Sequence, residues 1–205
     1  MAQDEQAKMS RDQILKEIRS SKPSKAPLSE IDIKQFSAAS VLEEVFIRNV
    51  EAVGGKSIYV NDEKEVIKNI QNLFSGAKEI ISFVKGIDLG STVIKTISTA
   101  RELDKLDLAV IKGQFGVAEN GAVWISDKDF DNRLVPFIAT HVVIVLNQRD
   151  IIENMHEACL RMSGFKEGYG VFVSGPSKTA DIEQSLVIGA QGPMSVTVFI
   201  VNKRC

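Results

Sequence analysis

The sequence predicts an α/β fold with a largely parallel sheet, and three observations carry that expectation. Short apolar runs alternate along the chain with amphipathic stretches of helical period. One run, Thr140 to Leu146, is nearly continuous aliphatic (Val142-Val-Ile-Val-Leu146), as suits a strand covered on both faces. Strands separated by helices of about 10–15 residues favour right-handed crossovers between parallel neighbours. The order of the strands does not follow from this pattern.

The elements can be justified in turn. Ile14, Leu15 and Ile18 form a small stripe in a charged segment, and Ser20 to Pro27 breaks it as a linker. Residues 1–30 therefore read as an N-terminal arm with a short helix, and residues 31–205 as the α/β domain. The arm is either a tail without a task or a device that docks on a partner or second subunit. Leu42, Val45, Phe46, Val50 and Val53 recur at spacings of three and four until Gly54-Gly55 stops the helix. Lys56 to Val60 is a strand. Asp62 and Glu65 have the offset of a capping box, with Val66, Ile70, Leu73 and Phe74 as the buried stripe of the next helix.

Glu79 to Val84 is the second strand, and Ser91 to Glu102 a weaker helix. Leu106 to Ile111 and Ala122 to Ile125 are strands around a turn at Asn120-Gly121. A helix is expected to begin at Asp150 and Glu153, with Ile152, Met155, Cys159 and Met162 on its apolar side, which makes Cys159 a packed thiol. His156, on the same helix, reads as a surface residue. A strand at Gly170 to Val173, a helix from about Ala180, and a strand at Ser195 to Asn202 complete the chain.

Composition excludes several functions. A net charge of −2 leaves no electrostatic footprint for nucleic acid or an anionic membrane surface. No apolar run approaches the about 18 residues of a membrane span, and the polar start Met-Ala-Gln-Asp-Glu-Gln lacks a signal core, so a cytoplasmic location is expected. Two Cys and two His, with no metal-ligand spacing among them, fall short of a structural zinc site or an iron–sulfur cluster. No intrinsic cofactor is expected.

Three segments hold the candidate site residues. In Ser174-Gly-Pro-Ser-Lys-Thr-Ala-Asp-Ile-Glu183 an apolar strand stops at a Gly-Pro pair and hydroxyls and carboxylates follow. A structural account is available: Gly175 and Pro176 shape the turn, Ser177 or Thr179 caps a helix, and Asp181 and Glu183 favour its first turn. The functional account makes Ser174, Gly175, Ser177, Thr179, Asp181 and Glu183 a rim for a small polar ligand, at the sheet edge where open α/β folds bind. The second segment is Gly116-Val-Ala-Glu-Asn-Gly-Ala-Val-Trp124, where Glu119 is either a catalytic carboxylate or the cap of a neighbouring amide. The third is Asn132-Arg-Leu-Val-Pro-Phe-Ile-Ala-Thr-His141. Here Arg133 can grip a carboxylate, and His141 is either a ligand contact or a hydrogen-bonded strand residue.

The words Gly-Pro-Ser-Lys-Thr-Ala-Asp-Ile-Glu and Gly189-Ala-Gln-Gly-Pro193 resemble the lactate-utilization (LUD) domain, in its LutC-like branch. Supporting similarity runs from Met9-Ser-Arg-Asp-Gln-Ile-Leu-Lys-Glu-Ile-Arg19 to the last strand. Gln191 stands where the family has a histidine, and one extra residue separates Pro136 from His141.

The resemblance implies a three-layer helix–sheet–helix fold like glucosamine-phosphate deaminase, ribose-phosphate isomerase and coenzyme A transferases (the NagB/RpiA/CoA transferase-like fold). It further implies an accessory component, without clusters of its own, of a system that oxidises L-lactate to pyruvate. The iron–sulfur clusters would sit in LutA-like and LutB-like partners. Glu-Asn-Gly is also similar to the catalytic glutamate segment of family I coenzyme A transferases. That likeness supports the alternative, a small-molecule enzyme or binding protein using Glu119 as nucleophile or base in an acidic cleft, with the Gly175–Glu183 loop holding a carboxylate or phosphate-containing ligand.

Overall fold

The computed structural model describes residues 11–23, 32, 41–90, 100–130, 132–166, 168–180 and 186–202. The chain divides into two units, Met1–Asp32 and Ile33–Cys205. In the first, helix α1 (Arg11–Ser20) has Asp12 in its first turn and Arg19 in its last, as the helix dipole favours, and it buries no residue.

The second unit opens with α2 (Leu42–Ala52), whose chain turns at Gly54 into β1 (Lys56–Val60). At the start of α3 (Glu63–Leu73) the forward bond of the expected capping box forms, and its return bond goes to the residue before the cap. Asp62 Oδ1 accepts the Glu65 amide at 2.9 Å, and Glu65 Oε2 reaches back to the Asn61 amide at 2.9 Å. Then follow β2 (Ile80–Ser82), a 3₁₀ turn (Ala100–Lys105), β3 (Leu108–Lys112), β4 (Phe115–Val117), β5 (Ala122–Ser126) and the short α4 (Val135–Ile138). The remainder is β6 (His141–Asn147), β7 (Ile151–Ile152), α5 (Met155–Met162), β8 (Gly170–Val173), β9 (Lys178–Ala180), β10 (Leu186–Ile188) and β11 (Ser195–Val201).

Five of these strands form the expected parallel sheet, in the order β1-β11-β6-β3-β2. Side chains alternate across it. Leu108, Val110, Val143, Val145, Phe199 and Val201 face α3, where Val66 and Ile70 meet them. Ala109, Ile111, Val142, Ile144, Leu146, Val196, Val198 and Ile200 face the other way, against Phe46 and Val50 of α2.

Sequence periodicity does not foretell what shares that second face. A four-stranded mixed sheet, β7-β4-β5-β8, lays Val123, Ile125 and Ile151 on the parallel sheet. Its own outer side carries Phe115, Val117, Trp124 and Ile152 beneath α5. The layers therefore run α3, parallel sheet, α2 with the mixed sheet, then α5.

Three expectations differ. The helix expected at Asp150 starts at Met155, because Ile151 and Ile152 pair with Gly116 and Val117 and Asn154 caps the helix through the Glu157 amide at 3.0 Å. Cys159 is exposed, since Ala158 takes the buried position of that short helix. In place of a helix from Ala180, β9 and β10 pair antiparallel as a separate ribbon, with Thr179 opposite Val187. The expected helix at Ser91 lies outside the described residues, apart from the 3₁₀ turn at its end.

Ile144 is fully buried at the centre of the sheet. Ile144→Ala should lower the unfolding free energy by about 2–5 kcal/mol in urea titrations. An unchanged midpoint would contradict the packing described.

Candidate functional site

Of the described motif residues, Gly175, Ser177 and His141 lie at the amino edge of the parallel sheet. The reason is topological: β8 belongs to the mixed sheet, so the loop after it is delivered to the start of β1 and β11. Gly175 has φ +73°, and a Cβ there would stand 2.5 Å from the Val53 carbonyl oxygen, so only glycine lets this loop rest on the end of α2. Pro176 is buried beside it. The Ser177 amide donates to the Pro193 carbonyl at 2.9 Å, and the Ser177 carbonyl accepts the Gly189 amide at 2.9 Å. The Met194 amide in turn donates to the Thr140 carbonyl at 2.8 Å. The Gly-Pro-Ser and Gly-Pro words thus brace one another just ahead of β6 and β11.

Those two strands begin in register with His141 opposite Ser195, whose side chains share the face that α3 covers. His141 Nδ1 and Ser195 Oγ stand 2.8 Å apart. The Phe74 ring, past the end of α3, lies 5.2 Å from the imidazole at a 43° tilt. The His141 amide donates to the Asp107 carbonyl at 2.9 Å.

The Asp107 carboxylate accepts the Glu79 amide at 3.0 Å and the Lys78 amide at 2.8 Å. These two bonds, Glu79's first, hold its pKa below the ordinary aspartate range; the nearby His141 and Lys78 charges add to the effect. Leu73 and Phe74 border two hollows. One, about 250 Å³, contains Asp107 and His141; the other, about 230 Å³, contains Lys56, Ser195 and Thr197. A histidine–serine pair beside a carboxylate can relay a proton and hold a small polar molecule by hydrogen bonds.

The other candidates are placed elsewhere. Glu119 is exposed and borders neither hollow. Its Oε2 accepts the Met155 amide at 2.9 Å, at the first turn of α5. Asn49 Nδ2 donates to the Ala118 and Glu119 carbonyls at 2.7 and 3.0 Å, which pins the turn to α2. Gly121 has φ +67° there, and a Cβ would meet the Val50 nitrogen at 2.5 Å. Ser174, exposed, links loop and turn by donating to the Asn120 carbonyl at 3.2 Å.

The Arg133 guanidinium binds the Asp127 carboxylate through Nη2 at 2.5 Å and Nε at 3.1 Å, and lies 5.3 Å from the Tyr169 ring centre. Burial raises the Tyr169 phenol's pKa, against the pull of Arg133. Arg133 is thus committed to a surface pair away from His141's partners. Thr179 lies in the ribbon opposite Val187; Asp181 and Glu183 lie outside the described residues. Among the described residues no group of three or more His, Cys, Asp or Glu side chains is arranged to hold a metal ion, and no helix is long and apolar enough to cross a membrane.

Asp107, Ser195 and Phe74 were not among the sequence candidates. Ser195 meets His141 through the pairing of β6 with β11, Asp107 through that of β3 with β6, and Phe74 through the placement of α3, none of which a single sequence reveals.

The fold and platform define an α/β protein built on a parallel sheet, with its motif loops collected at the strand starts. Residues 94–201, more than half of the chain, match the LUD domain model, and the chain belongs to the LUD domain family. Asp107, His141, Ser177, Pro193 and Ser195 all fall within that interval. The chain is 27% identical over 105 residues to lactate utilization protein C of Oceanobacillus iheyensis, covering 48% of this chain and 45% of the relative. It is 26% identical over 107 residues to the protein of the same name from Geobacillus sp. strain WCH70, covering 49% and 44%. The chain thus spans less than half the length of these curated relatives. A solved DUF162 family protein from Deinococcus radiodurans superposes with TM-score 0.60 at 16% identity, over 78% of this chain and 96% of its own, and shares the fold.

Two outcomes follow from the geometry. Glu119→Ala should lower stability by about 0.5–2 kcal/mol through loss of the α5 amide bond, and Glu119→Gln by less, because an amide oxygen still accepts. Equal losses in thermal or urea unfolding would contradict the capping role. Folding lowers the Asp107 pKa, so the unfolded chain takes up that proton first as the pH falls. The stability Asp107 supplies is complete above the ordinary aspartate pKa and is lost as pH drops through the lowered folded value. The stability gap between wild type and Asp107→Asn should be widest near neutrality and shrink below about pH 4. A gap independent of pH, measured by urea midpoints, would contradict this.

Proposed function

We propose that the chain is a LutC-like accessory component of a lactate-utilisation system. In this reading L-lactate is oxidised to pyruvate by partner proteins of the LutA-like and LutB-like kind, and their iron–sulfur clusters take up the two electrons. The LUD chain contributes no electron carrier. Its amino-edge platform holds a small hydroxy or oxo acid, with Ser195 and His141 hydrogen-bonding the polar end and Lys56 attracting the carboxylate. The observation that carries the reading is the shared name of relatives aligned over about half of this chain, within the family to which it belongs. The braced His141–Ser195 pair supports the platform's role.

The alternative, with Glu119 as an enzymatic nucleophile or base, gains no support from a carboxylate that already accepts the Met155 amide outside both hollows.

The test is reconstitution. The purified chain alone should not oxidise lactate, and a tagged copy should co-purify with cluster-bearing proteins identified by their visible absorption. Strong lactate dehydrogenase activity from this chain by itself would overturn the reading. Within an active complex, His141→Ala and Ser195→Ala should each lower lactate turnover about tenfold or more, within the span expected for acid–base groups. Full activity in both variants would remove the platform from the reaction.

A further inference from the structure

The opposite edge of the parallel sheet carries a cleft of about 360 Å³, within the range of small-molecule sites. It lies outside the carboxyl ends of β3, β6 and β11, the side on which open α/β sheets bind ligands. Lys112 is the last residue of β3, and Lys85 follows β2; both ammonium-bearing side chains line the cleft. Asn147 ends β6, Asp150 follows it, and Glu63 enters from the first turn of α3. Val145 gives part of the short apolar floor.

The charges differ from those of an ordinary solvated surface in being brought together from four separate elements around one hollow. Lys112 has a long contact with Asp129, at 3.9 Å and with its side chain 60% exposed. Such a pair is worth little in water and leaves the ammonium able to serve a ligand. Asn147 Oδ1 accepts the Arg149 amide at 2.9 Å, so the group it can offer is its NH₂, a donor. The cleft thus combines two ammoniums and an amide donor with two carboxylate acceptors.

We infer that this cleft binds a small phosphate monoester that also carries hydroxyl groups. A phosphate monoester has a charge of about −1.5 to −2 at neutral pH, which two ammoniums match better than a single carboxylate would. Asp150 and Glu63 repel a ligand that is phosphate throughout but accept hydrogen bonds from hydroxyls, which selects a hydroxylated skeleton over an inorganic polyphosphate. The site is separate from the amino-edge platform, and it does not depend on the lactate reading.

Calorimetric titration of the full chain with glycerol phosphate, inorganic phosphate and glycerol tests this. Glycerol phosphate should bind saturably with a Kd in or below the low-millimolar range, about −4 kcal/mol or better. Inorganic phosphate should bind more weakly and glycerol not at all. The double variant Lys85→Ala, Lys112→Ala should weaken glycerol phosphate about tenfold or more, corresponding to about 1.4 kcal/mol. Asp150→Ala, which removes the acceptor, should narrow the preference for glycerol phosphate over inorganic phosphate, and His141→Ala should leave both affinities unchanged. Circular dichroism confirms that each variant is folded. No saturation by glycerol phosphate, or equal affinity in the double lysine variant, overturns the assignment. Loss of binding in His141→Ala would overturn its separation from the platform.

Discussion

The strand His141–Asn147 is the constraint on which the rest of the structure depends. Val142 to Leu146 are buried on both sides of the sheet, with hydrogen-bonded neighbours on both edges. A strand so enclosed cannot slip by one residue, because every side chain would change faces and each core would receive the other's residues. Its two ends are therefore fixed in place. His141 opens it against Ser195, and Asn147 closes it at the lysine cleft.

The mixed sheet decides which loops reach which edge. At Gly113 the chain leaves the parallel sheet and Gln114 joins the second one, its amide donating to the Trp124 carbonyl at 2.9 Å. From there β4, β5 and β8 run as antiparallel neighbours, with Trp124 packed on Phe172 at 4.7 Å and on Phe165 at 5.4 Å. An antiparallel β5–β8 pair returns Val173 to the level of Val123, beside the Asn120-Gly121 turn. The Gly-Pro-Ser loop must then start from that turn, which Ser174 touches, and it meets α2 at Val53. A strand ending in a polar loop resembles a ligand rim in any α/β chain, but the rim's position depends on the sheet to which the strand belongs.

Much of the fold was legible because its signals are local. The aliphatic run of β6, the capping box at Asp62 and Glu65, the stop at Gly54 and the turn at Asn120-Gly121 each depend on residues close in sequence. What escaped is short or distant. Phe115–Val117 and Ile151–Ile152 span too few residues to display a period of two, and they are strands only because they find each other and β5. The stretch around Ser177 and Thr179 reads as a helix start, yet the pairing of Lys178–Ala180 with Leu186–Ile188 outweighs that local preference. Of the candidate site, His141 and Ser177 were visible as motif residues. Ser195, 54 residues from His141, became a partner only through strand order, and Asp107 through the crossover into β3. Glu119 shows the converse: the same three-residue word serves a turn and a helix cap as well as it would serve catalysis, and here the amide of Met155 occupies it.

The geometry of β6 also limits what its two ends can share. Seven residues at about 3.3 Å each separate them by roughly 20 Å. A three-carbon acid or its phosphate cannot touch both, so a ligand at the platform and a ligand at the cleft would be separate molecules. Their chemistries differ accordingly. The amino edge offers an imidazole in hydrogen-bond contact with a hydroxyl, near a carboxylate whose pKa is held low, a set suited to hydrogen-bonding a small polar molecule. The carboxyl edge offers lysines and carboxylates whose work is charge matching. Linkage between them, if a ligand at one end alters affinity at the other, would have to pass through a strand packed too tightly to deform gradually. A rigid central strand therefore favours two independent sites over one coupled device.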